Sequence, residues 1–438
     1  WKFFRVDVPT NALGWDVRLV DVSAGSPQMY VVRDVLPMGN WYWNPSYSTS
    51  WPSGYQWGAG MDWTGYPYDP LGNNAHVNML AMGMGNPLQP GTYYIGVKDD
   101  YNVSSYTLQS RGIGTNGQSI VVKDLSYTGA GSSTNATGLL AREAAYYRVQ
   151  IPSNTPSWKV KLTASSGEVL LLAQKDYLPN VQPSYFSFDS NSPAGGHKLQ
   201  KAGNEHWVLL PQSGQTNIPA GTYYLGVASA GQNPTYPNIG SGSSDYTLAS
   251  LGALAGTNLG VLSNAPDLLV SDGMEGGEVR AYQFTVQSGT PSVEVRLENR
   301  VGNPVMTLCQ GINLPSPYDW PYSYGYDGGQ NWSALDANLI TLANPSPGVY
   351  SVVVNASYSS GSYPDAAYQL RVHVVPPTPV AFDGGTTNID SQPAGNWKFF
   401  RVDVPTNALG WDVRLVDVSA GSPQMYVVRD VLPMGNWY

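Results

Sequence analysis

Cysteine and charged residues are scarce in this chain. The first scarcity excludes a disulfide framework, and the second argues against anionic partners. The 438 residues include one cysteine, Cys309, which rules out a disulfide within one repeat and is expected to act as a small buried apolar residue. Only 12% of residues are Asp, Glu, Lys or Arg, and the net charge is −9. Without a Lys/Arg cluster to bind phosphates, the sequence argues against nucleic acid and anionic membrane surfaces as partners. No stretch approaches the roughly 18 apolar residues of a transmembrane helix, so no membrane span is predicted.

Long runs of helix-forming residues are also missing. Short Val, Tyr, Leu and Thr stretches alternate with turn-forming clusters, and the chain contains 48 Gly, 34 Pro and 30 Tyr. β-branched and aromatic residues favour strands, whereas Gly/Pro clusters mark turns. The sequence therefore predicts an all-β protein whose surface is solvated mainly by hydroxyl and amide groups.

The most informative feature that is present is an exact repeat. Residues 1–42 recur letter for letter at 397–438, one 396-residue period later. Exposed positions of a fold tolerate substitution, so complete identity indicates recent duplication within an array of repeats. A window cut arbitrarily from a longer chain would also presuppose such an array.

A degenerate repeat divides the period into three units. The first strand of each unit is FFRVDVP (3–9), YYRVQIP (146–152) or YQFTVQ (282–287). The second is WDVRL (15–19), WKVKL (158–162) or VEVRL (293–297). Apolar and charged residues alternate in this second strand, as in a sheet with one buried face. We expect the charged pairs to lie on the opposite, solvated face: Asp16 and Arg18, Lys159 and Lys161, and Glu294 and Arg296.

Later motifs of the units carry a resemblance to a known family. A turn-strand motif appears as PGTYYIGV (90–97), AGTYYLGV (220–227) and PGVYSVVV (347–354), and each unit closes with Tyr-Thr-Leu or Tyr-Gln-Leu at 106–108, 246–248 and 368–370. Together with the first strands, these motifs resemble the bacterial pre-peptidase C-terminal (PPC) domain. The resemblance covers nearly the whole chain in three copies. It implies tandem jelly-roll-like β-sandwich domains, export from the cell, binding or spacing roles without catalysis, and in some members bound calcium.

The repeat gives a domain organisation with an incomplete end. Its predicted divisions are segment A (1–112, lacking its first strand), segment B (113–251), segment C (252–375), and residues 376–438, which supply a linker, an opening strand and half of the next segment A. Opening strands are predicted in 114–122, 256–264 and 384–396, and VVPPTPV (374–380) is predicted to be a stiff linker. A half sandwich exposes an apolar face and unpaired strand edges. The chain should therefore either continue covalently into identical repeats, which we favour, or associate head to tail by strand addition.

Aromatic loops are the candidate interface or ligand residues. They lie mainly in 40–70 of segment A and 318–332 of segment C, and the strongest candidates are Trp41, Trp43, Trp51, Trp57, Trp63, Tyr66, Tyr68, Trp320, Tyr324 and Trp332. Such rings bury large areas at low entropic cost. Packing between domains or filament strands, stacking on carbohydrate, and a local core of the loop itself all remain open.

Acidic loop residues raise the possibility of a metal, whereas catalysis finds little support. Asp99, Asp100 and Asn102 are the candidate calcium ligands, although solvated turn residues are the simpler interpretation. The four histidines have no metal-ligand spacing, and no nucleophile elbow or phosphate-binding loop is present. The sequence predicts no enzyme and no organic cofactor.

Three functions follow from these observations. The first is a structural subunit of an extracellular filament or cell-surface fibre built from identical tandem repeats. The second is a secreted adhesin or carbohydrate-binding repeat region, in which repetition supplies avidity for a glycan. The third is a non-catalytic accessory region of a secreted hydrolase.

Overall fold

The fold was taken from a computed structural model of the chain. It describes residues 1–38, 56–58, 79–82, 87–179, 189–191, 197–199, 201–211, 215–234, 240–315, 339–359 and 362–433. Every regular element among these residues is a strand, as the composition predicts. Within the described ranges, no helix has the length and hydropathy needed to cross a membrane.

Segment A forms strands where apolar residues alternate. Its strands are β1 (Lys2–Val8), β2 (Gly14–Ala24), β3 (Gln28–Arg33), β4 (Gln56–Gly58), β5 (Met79–Met82), β6 (Gly91–Lys98) and β7 (Ser105–Gly114). One sheet has the order β1-β6-β3-β4, and β2 pairs with β7 and β5 in another. Inward-facing residues of both sheets form one core, which includes Trp15, Leu19, Val31, Tyr93 and Ile95.

Segment B continues one of these sheets. Its strands are β8 (Ile120–Leu125), β9 (Ser133–Leu140), β10 (Ala144–Ile151), β11 (Trp158–Ser166), β12 (Glu168–Lys175), β13 (Asp189–Asn191), β14 (His197–Leu199), β15 (Glu205–Leu209), β16 (Gly221–Gly231) and β17 (Ser243–Ser250). A nine-stranded sheet runs β13-β14-β12-β16-β10-β8-β7-β2-β5, and a four-stranded sheet runs β15-β11-β17-β9. Segments A and B are therefore joined by backbone pairing between β7 and β8.

Segment C has two four-stranded sheets of its own. Its strands are β18 (Gly256–Val261), β19 (Leu268–Met274), β20 (Val279–Val286), β21 (Ser292–Val301), β22 (Pro304–Gln310), β23 (Leu339–Ala343), β24 (Gly348–Ala356) and β25 (Ala366–Val374). The sheet orders are β18-β20-β24-β22 and β19-β25-β21-β23. Side chains from both sheets meet in one apolar core, with Phe284, Val295, Val352 and Leu370 at its centre.

The repeated residues 397–433 form little sheet. The last strands are β26 (Thr378–Pro379) and β27 (Phe400–Arg401), which pair in parallel. Since β26 lies within 374–380, the predicted stiff linker is itself a short strand. The opening strand before residue 397 thus lies upstream of the predicted 384–396.

Contacts divide the chain into two compact units. One comprises Trp1–Val208 and Pro219–Ala253, and the other Leu209–Ile218 and Leu254–Tyr438. The first unit holds segment A and segment B without residues 209–218, and the second holds those residues, segment C from Leu254 onward and the second copy of the repeat. Among the predicted divisions, the one at 112/113 falls inside β7, whereas 251/252 and 375/376 fall between strands.

Candidate interaction surfaces

The two copies of the 42-residue repeat have the same local conformation. We call residues 1–42 the first copy and 397–438 the second copy. Positive φ angles recur at matching positions, with 52° at both Asp21 and Asp417, and 69° and 70° at Asp34 and Asp430. The hydrogen bond from the Tyr30 hydroxyl to Gln28 likewise recurs from Tyr426 to Gln424. The shared sequence therefore determines the course of the chain even where few strand partners are present.

The surroundings of the two copies differ. Trp15 is 2% exposed in the first copy, whereas its equivalent Trp411 is 41% exposed. Val31 is fully buried, but Val427 is 59% exposed. Strands β1, β2 and β3 of the first copy have partners later in segment A. Strand β6 pairs with β1 and β3, β7 pairs with β2, and these partners close the core. The equivalent side chains of the second copy, such as Trp411 and Val427, are exposed in the described structure.

The linker that follows segment C pairs with the beginning of the second copy. The Thr378 amide donates to the Phe399 carbonyl over 2.8 Å, and the Val380 amide donates to the Arg401 carbonyl over 2.9 Å. Phe399 is 3% exposed, compared with 45% for its equivalent Phe3. The second copy thus pairs with β26, which lies in the linker that follows segment C.

Two polar contacts fix the second copy against segment C. The Arg296 guanidinium donates to Asn396 Oδ1 over 2.5 Å. The Asn344 amide donates to the Leu432 carbonyl over 3.0 Å and accepts from the Leu432 amide over 3.1 Å. These contacts hold the segment at its beginning and near its end.

The junction between segments A and B contains a buried ion network. Arg18 pairs with Asp16 at 2.6 Å and with Glu143 at 2.8 Å. Arg111 pairs with the same carboxylates, at 3.0 Å from Asp16 and 2.9 Å from Glu143. Two cations and two anions are therefore closed into a balanced ring. Since Glu143 comes from segment B, this ring crosslinks two segments.

This ring contradicts one expectation from the sequence. Asp16 and Arg18 were assigned to a solvated sheet face, but they are 4% and 5% exposed, and Glu294 is equally buried. Alternation identified the two faces of the strand correctly, yet both faces are covered. Segment B supplies the second cover for Asp16 and Arg18 through Glu143 and the Arg142 carbonyl.

The junction between segment C and the second copy repeats the junction between segments A and B. Glu294 and Arg296 occupy the positions of Asp16 and Arg18 in the repeat. His373 lies opposite Glu294 in the sheet, as Arg111 lies opposite Asp16. Asn396 precedes Phe399 by three residues, as Glu143 precedes Tyr146, and both contact the arginine of the preceding segment.

Charge is balanced differently in the two junctions. Burial lowers the pKa of His373, and the guanidinium groups of Arg371 and Arg296 add to this, against the raising effect of Glu294 and Asp267. The His373 Nε2 atom lies 3.7 Å from Glu294. A neutral His373 and the Asn396 amide thus replace the Arg111 cation and the Glu143 anion, which keeps this junction balanced as well.

Most of the predicted aromatic site lies outside the described residues. This holds for Trp41, Trp43, Trp51, Trp63, Tyr66, Tyr68, Trp320, Tyr324 and Trp332. The backbone of Trp57 lies in β4, where it pairs with Val31 of β3. The role of these rings as interface or ligand residues stays a prediction.

The candidate calcium residues form a turn held by Asp99. Its Oδ2 accepts from Ser104 Oγ at 2.5 Å and from the Ser26 amide at 2.6 Å, and its Oδ1 accepts from the amides of Tyr101 and Asn102 at 2.9 Å. These bonds, led by the Ser104 hydroxyl, lower the pKa of Asp99. Both oxygens of Asp99 are therefore engaged by the protein itself.

The other candidate ligands do not converge on Asp99. Asp100 pairs with Lys98 at 3.0 Å. No group of three or more His, Cys, Asp or Glu side chains suited to a metal occurs in the part of the chain that the structure describes. Calcium binding by Asp99, Asp100 and Asn102 stays a prediction.

The sequence did not single out the residues that hold the junctions. Arg111, Glu143, Asn344 and Asn396 come from positions distant in sequence, and each becomes significant only through its partner. One signal was available in the sequence: Asp16 and Arg18 occupy the same positions of the degenerate repeat as Glu294 and Arg296. In both junctions the arginine of the pair contacts the segment that follows.

No family model matches the chain, and no curated protein matches it. Among solved structures, it is similar to CorA, a surface-associated copper-binding protein of Methylomicrobium album BG8, with 9% identity over 30% of this chain and 98% of that one and a TM-score of 0.19. The CUB1-EGF-CUB2 domains of rat MASP-1 share 7% identity over 58% of this chain and all of that one, with a TM-score of 0.17. Sulfolobus Turreted Icosahedral Virus gives 10% identity, coverage of 84% and 82%, and a TM-score of 0.13. Likenesses at this level carry no functional argument.

Proposed function

We propose that this protein is a structural subunit of an extracellular filament or cell-surface fibre built from identical 396-residue periods. Each period would comprise three tandem jelly-roll-like β-sandwich domains of the PPC kind. One observation carries the proposal. Residues 1–42 recur letter for letter at 397–438, one 396-residue period later, and the two copies keep the same positive φ angle at Asp21 and Asp417.

The strand pairings of the two copies are compatible with each other. In segment B, strand β10 pairs in parallel with β8 on one edge and antiparallel with β16 on the other. In the second copy, β27 pairs in parallel with β26, the equivalent of β8, and in the first copy, β1 pairs antiparallel with β6, the equivalent of β16. A repeat inside an array would carry both partners, as β10 does.

The energetics favour completion of the second copy. Apolar side chains such as Trp411, Leu415 and Val427 are about half exposed, so each forgoes roughly half of the 1.5–3 kcal/mol that full burial of an apolar side chain contributes. In the first copy the same side chains share a core with residues that follow the repeat, among them Tyr93, Ile95 and Leu108. Covalent continuation into an identical period supplies those residues at each joint without displacing any other segment.

A filament made this way suits the composition of the chain. Buried rings, backbone pairing and small enclosed ion networks would provide cohesion, because charged residues are few and one cysteine cannot form an intrachain disulfide. Surface export, absence of catalysis and absence of an organic cofactor belong to the same proposal.

The proposal is tested on cells that produce the protein. Antibodies against segment B should label intact cells, and electron microscopy of the surface fraction should show fibres with an axial repeat of three domains. A protein recovered only from the cell interior as dispersed single chains would overturn the proposed function.

A further inference from the structure

Three Asn-x-Ser/Thr sequences without a central proline lie among the described residues, and each has a different setting. They begin at Asn102, Asn135 and Asn355. Asn355 is 9% exposed in β24, which has β20 on one side and β22 on the other. Asn135 is exposed in β9, where its Oδ1 atom accepts a hydrogen bond from Thr247 over 2.8 Å. Of the three, Asn102 is the one that lies in a turn, between β6 and β7.

This turn presents the Asn102 side chain to solvent. The backbone amides of Tyr101 and Asn102 both donate to Asp99 Oδ1 over 2.9 Å, which fixes the course of the chain. Tyr101 and Val103, on either side of Asn102, are 86% and 87% exposed. Asn102 is exposed as well, and its carboxamide makes no hydrogen bond within the described part of the chain. Its Nδ2 atom is therefore accessible in a backbone conformation that other groups hold.

We propose that Asn102 is a site of N-linked glycosylation. The Asn-x-Ser/Thr sequence is the acceptor for this modification, and in secreted proteins it lies in surface loops, as Asn102 does. The substrate is an oligosaccharide carried on a lipid pyrophosphate, which a transferase of the producing cell delivers. This inference rests on the proposed function, because the modification requires the export from the cell that the fibre also requires.

The transfer forms one bond and breaks another. The Asn102 Nδ2 atom attacks the anomeric carbon of the first sugar, and the bond between that carbon and the pyrophosphate breaks. Nδ2 loses one proton, and the lipid pyrophosphate leaves. Ser104 supplies the hydroxyl of the acceptor sequence, and in the folded turn this hydroxyl donates to Asp99 Oδ2 over 2.5 Å. The transfer therefore takes place while this turn is open.

A glycan on Asn102 gives the exposed turn a hydrophilic cover. Tyr101 and Val103 are among the most exposed large apolar side chains of the described residues. An attached oligosaccharide is bulky and solubilising, so it shields both side chains from neighbouring molecules. A glycan on Asn355 would instead keep β24 out of the core of segment C. The folded chain can therefore carry the modification at Asn102 but not at Asn355.

Mass spectrometry of the protein purified from the producing cells tests the site. Trypsin releases residues 99–111, which follow Lys98, end at Arg111 and contain Asn102 as their one Asn-x-Ser/Thr acceptor. This peptide should carry the added mass of an oligosaccharide, and fragmentation should assign that mass to Asn102. Recovery of the peptide at its sequence mass alone, or with the added mass on a hydroxyl, would overturn the proposal.

Matched variants of the full chain, made in the same cells, test the acceptor sequence and the cover. Ser104→Thr keeps the hydroxyl and should keep the added mass, whereas Ser104→Ala should lose it. Asn102→Gln removes the acceptor but keeps the bond from Ser104 to Asp99, and it should speed chymotrypsin cleavage after Tyr101 several-fold. Added mass that persists in Ser104→Ala, or an unchanged cleavage rate in Asn102→Gln, would contradict the proposal.

These outcomes are distinguishable from those of the fibre experiment. Single chains dispersed outside the cells with a glycan on Asn102 would refute the fibre but leave the glycosylation site intact. Fibres on the cells whose peptide 99–111 has its sequence mass would refute the glycosylation site alone.

Discussion

Arg18 and Arg414 occupy the same position in the two copies of the repeat. A comparison of the two arginines therefore separates the effect of burial on stability from the effect of local sequence. Both arginines bond to the aspartate two residues earlier, but the Arg18 side chain is 6% exposed and that of Arg414 is 72% exposed. Breaking a buried ion pair leaves an uncompensated charge, whereas an exposed pair contributes little.

Arg18→Ala should therefore lower the free energy of unfolding of the unit formed by segments A and B by about 3 kcal/mol or more. Arg414→Ala should lower stability by less than about 1 kcal/mol. Urea titration of both full-length variants measures the difference. Equal losses would show that the ring of Asp16, Arg18, Arg111 and Glu143 does not stabilise the junction.

His373 should make segment C sensitive to acid. Its pKa is lowered in the folded state by burial, so between the unfolded value of about 6.5 and the lower folded value the unfolded chain binds more protons. Stability is then fully present above about pH 6.5 and declines as pH falls through the folded pKa. Urea midpoints measured between pH 7.5 and pH 5 should fall for the wild type and fall less for His373→Gln. Superimposable pH profiles would remove His373 as the cause.

At the scale of elements, segments B and C share an inter-sheet hydrogen bond that segment A lacks. The hydroxyls of Tyr147 and Tyr246 lie 2.8 Å apart in segment B, and those of Tyr282 and Tyr368 lie 2.6 Å apart in segment C. Segment A has Phe4 at the matching position. Tyr246→Phe should cost about 1–3 kcal/mol because it leaves a buried hydroxyl without its partner, whereas changing both Tyr147 and Tyr246 to Phe should recover most of the loss. Calorimetry of the two variants checks this, and a double variant as unstable as the sum of its singles would contradict it.

Strand β2 and its repeated sequence give a second matched comparison. Leu19 is fully buried, whereas Leu415 is about half exposed. Leu19→Ala should cost about 2–5 kcal/mol, and Leu415→Ala less than about 0.5 kcal/mol. Thermal unfolding of the 438-residue chain distinguishes them. A comparable loss for Leu415→Ala would mean that the second copy is buried in solution.

The sequence predicts where strands such as β2 lie. It does not predict which parts of the chain pack against them. Period-two alternation in WDVRL located β2 and its core-facing residues, Trp15, Val17 and Leu19, because one face of the strand packs in the apolar core. The same pattern could not show that Asp16 and Arg18 are covered, since their cover comes from Glu143, far along the chain. The prolines of VVPPTPV concealed β26, because a proline can occupy an edge strand without donating a hydrogen bond.

At the scale of the whole molecule, the exact repeat places the same residues in two different surroundings. Apolar residues of the second copy are exposed in the described structure, although the equivalent residues of the first copy lie in the apolar core of segment A. We therefore predict that a segment with the sequence that follows residue 42 covers the exposed face of the second copy. Adhesive and calcium-binding roles of the loops are separate questions, because none of the contacts in this argument involves those loops.

The most direct test extends the chain beyond Tyr438 by a second copy of residues 43–125. A single cysteine at Val413, in a Cys309→Ser background, reports on the exposed face, because Val413 is 36% exposed and its twin Val17 is fully buried. In the 438-residue chain, Val413→Cys should react rapidly with a maleimide and Val17→Cys slowly. In the extended chain, the account predicts that Val413→Cys slows to the rate of Val17→Cys. An unchanged rapid rate for Val413→Cys in the extended chain would contradict the account.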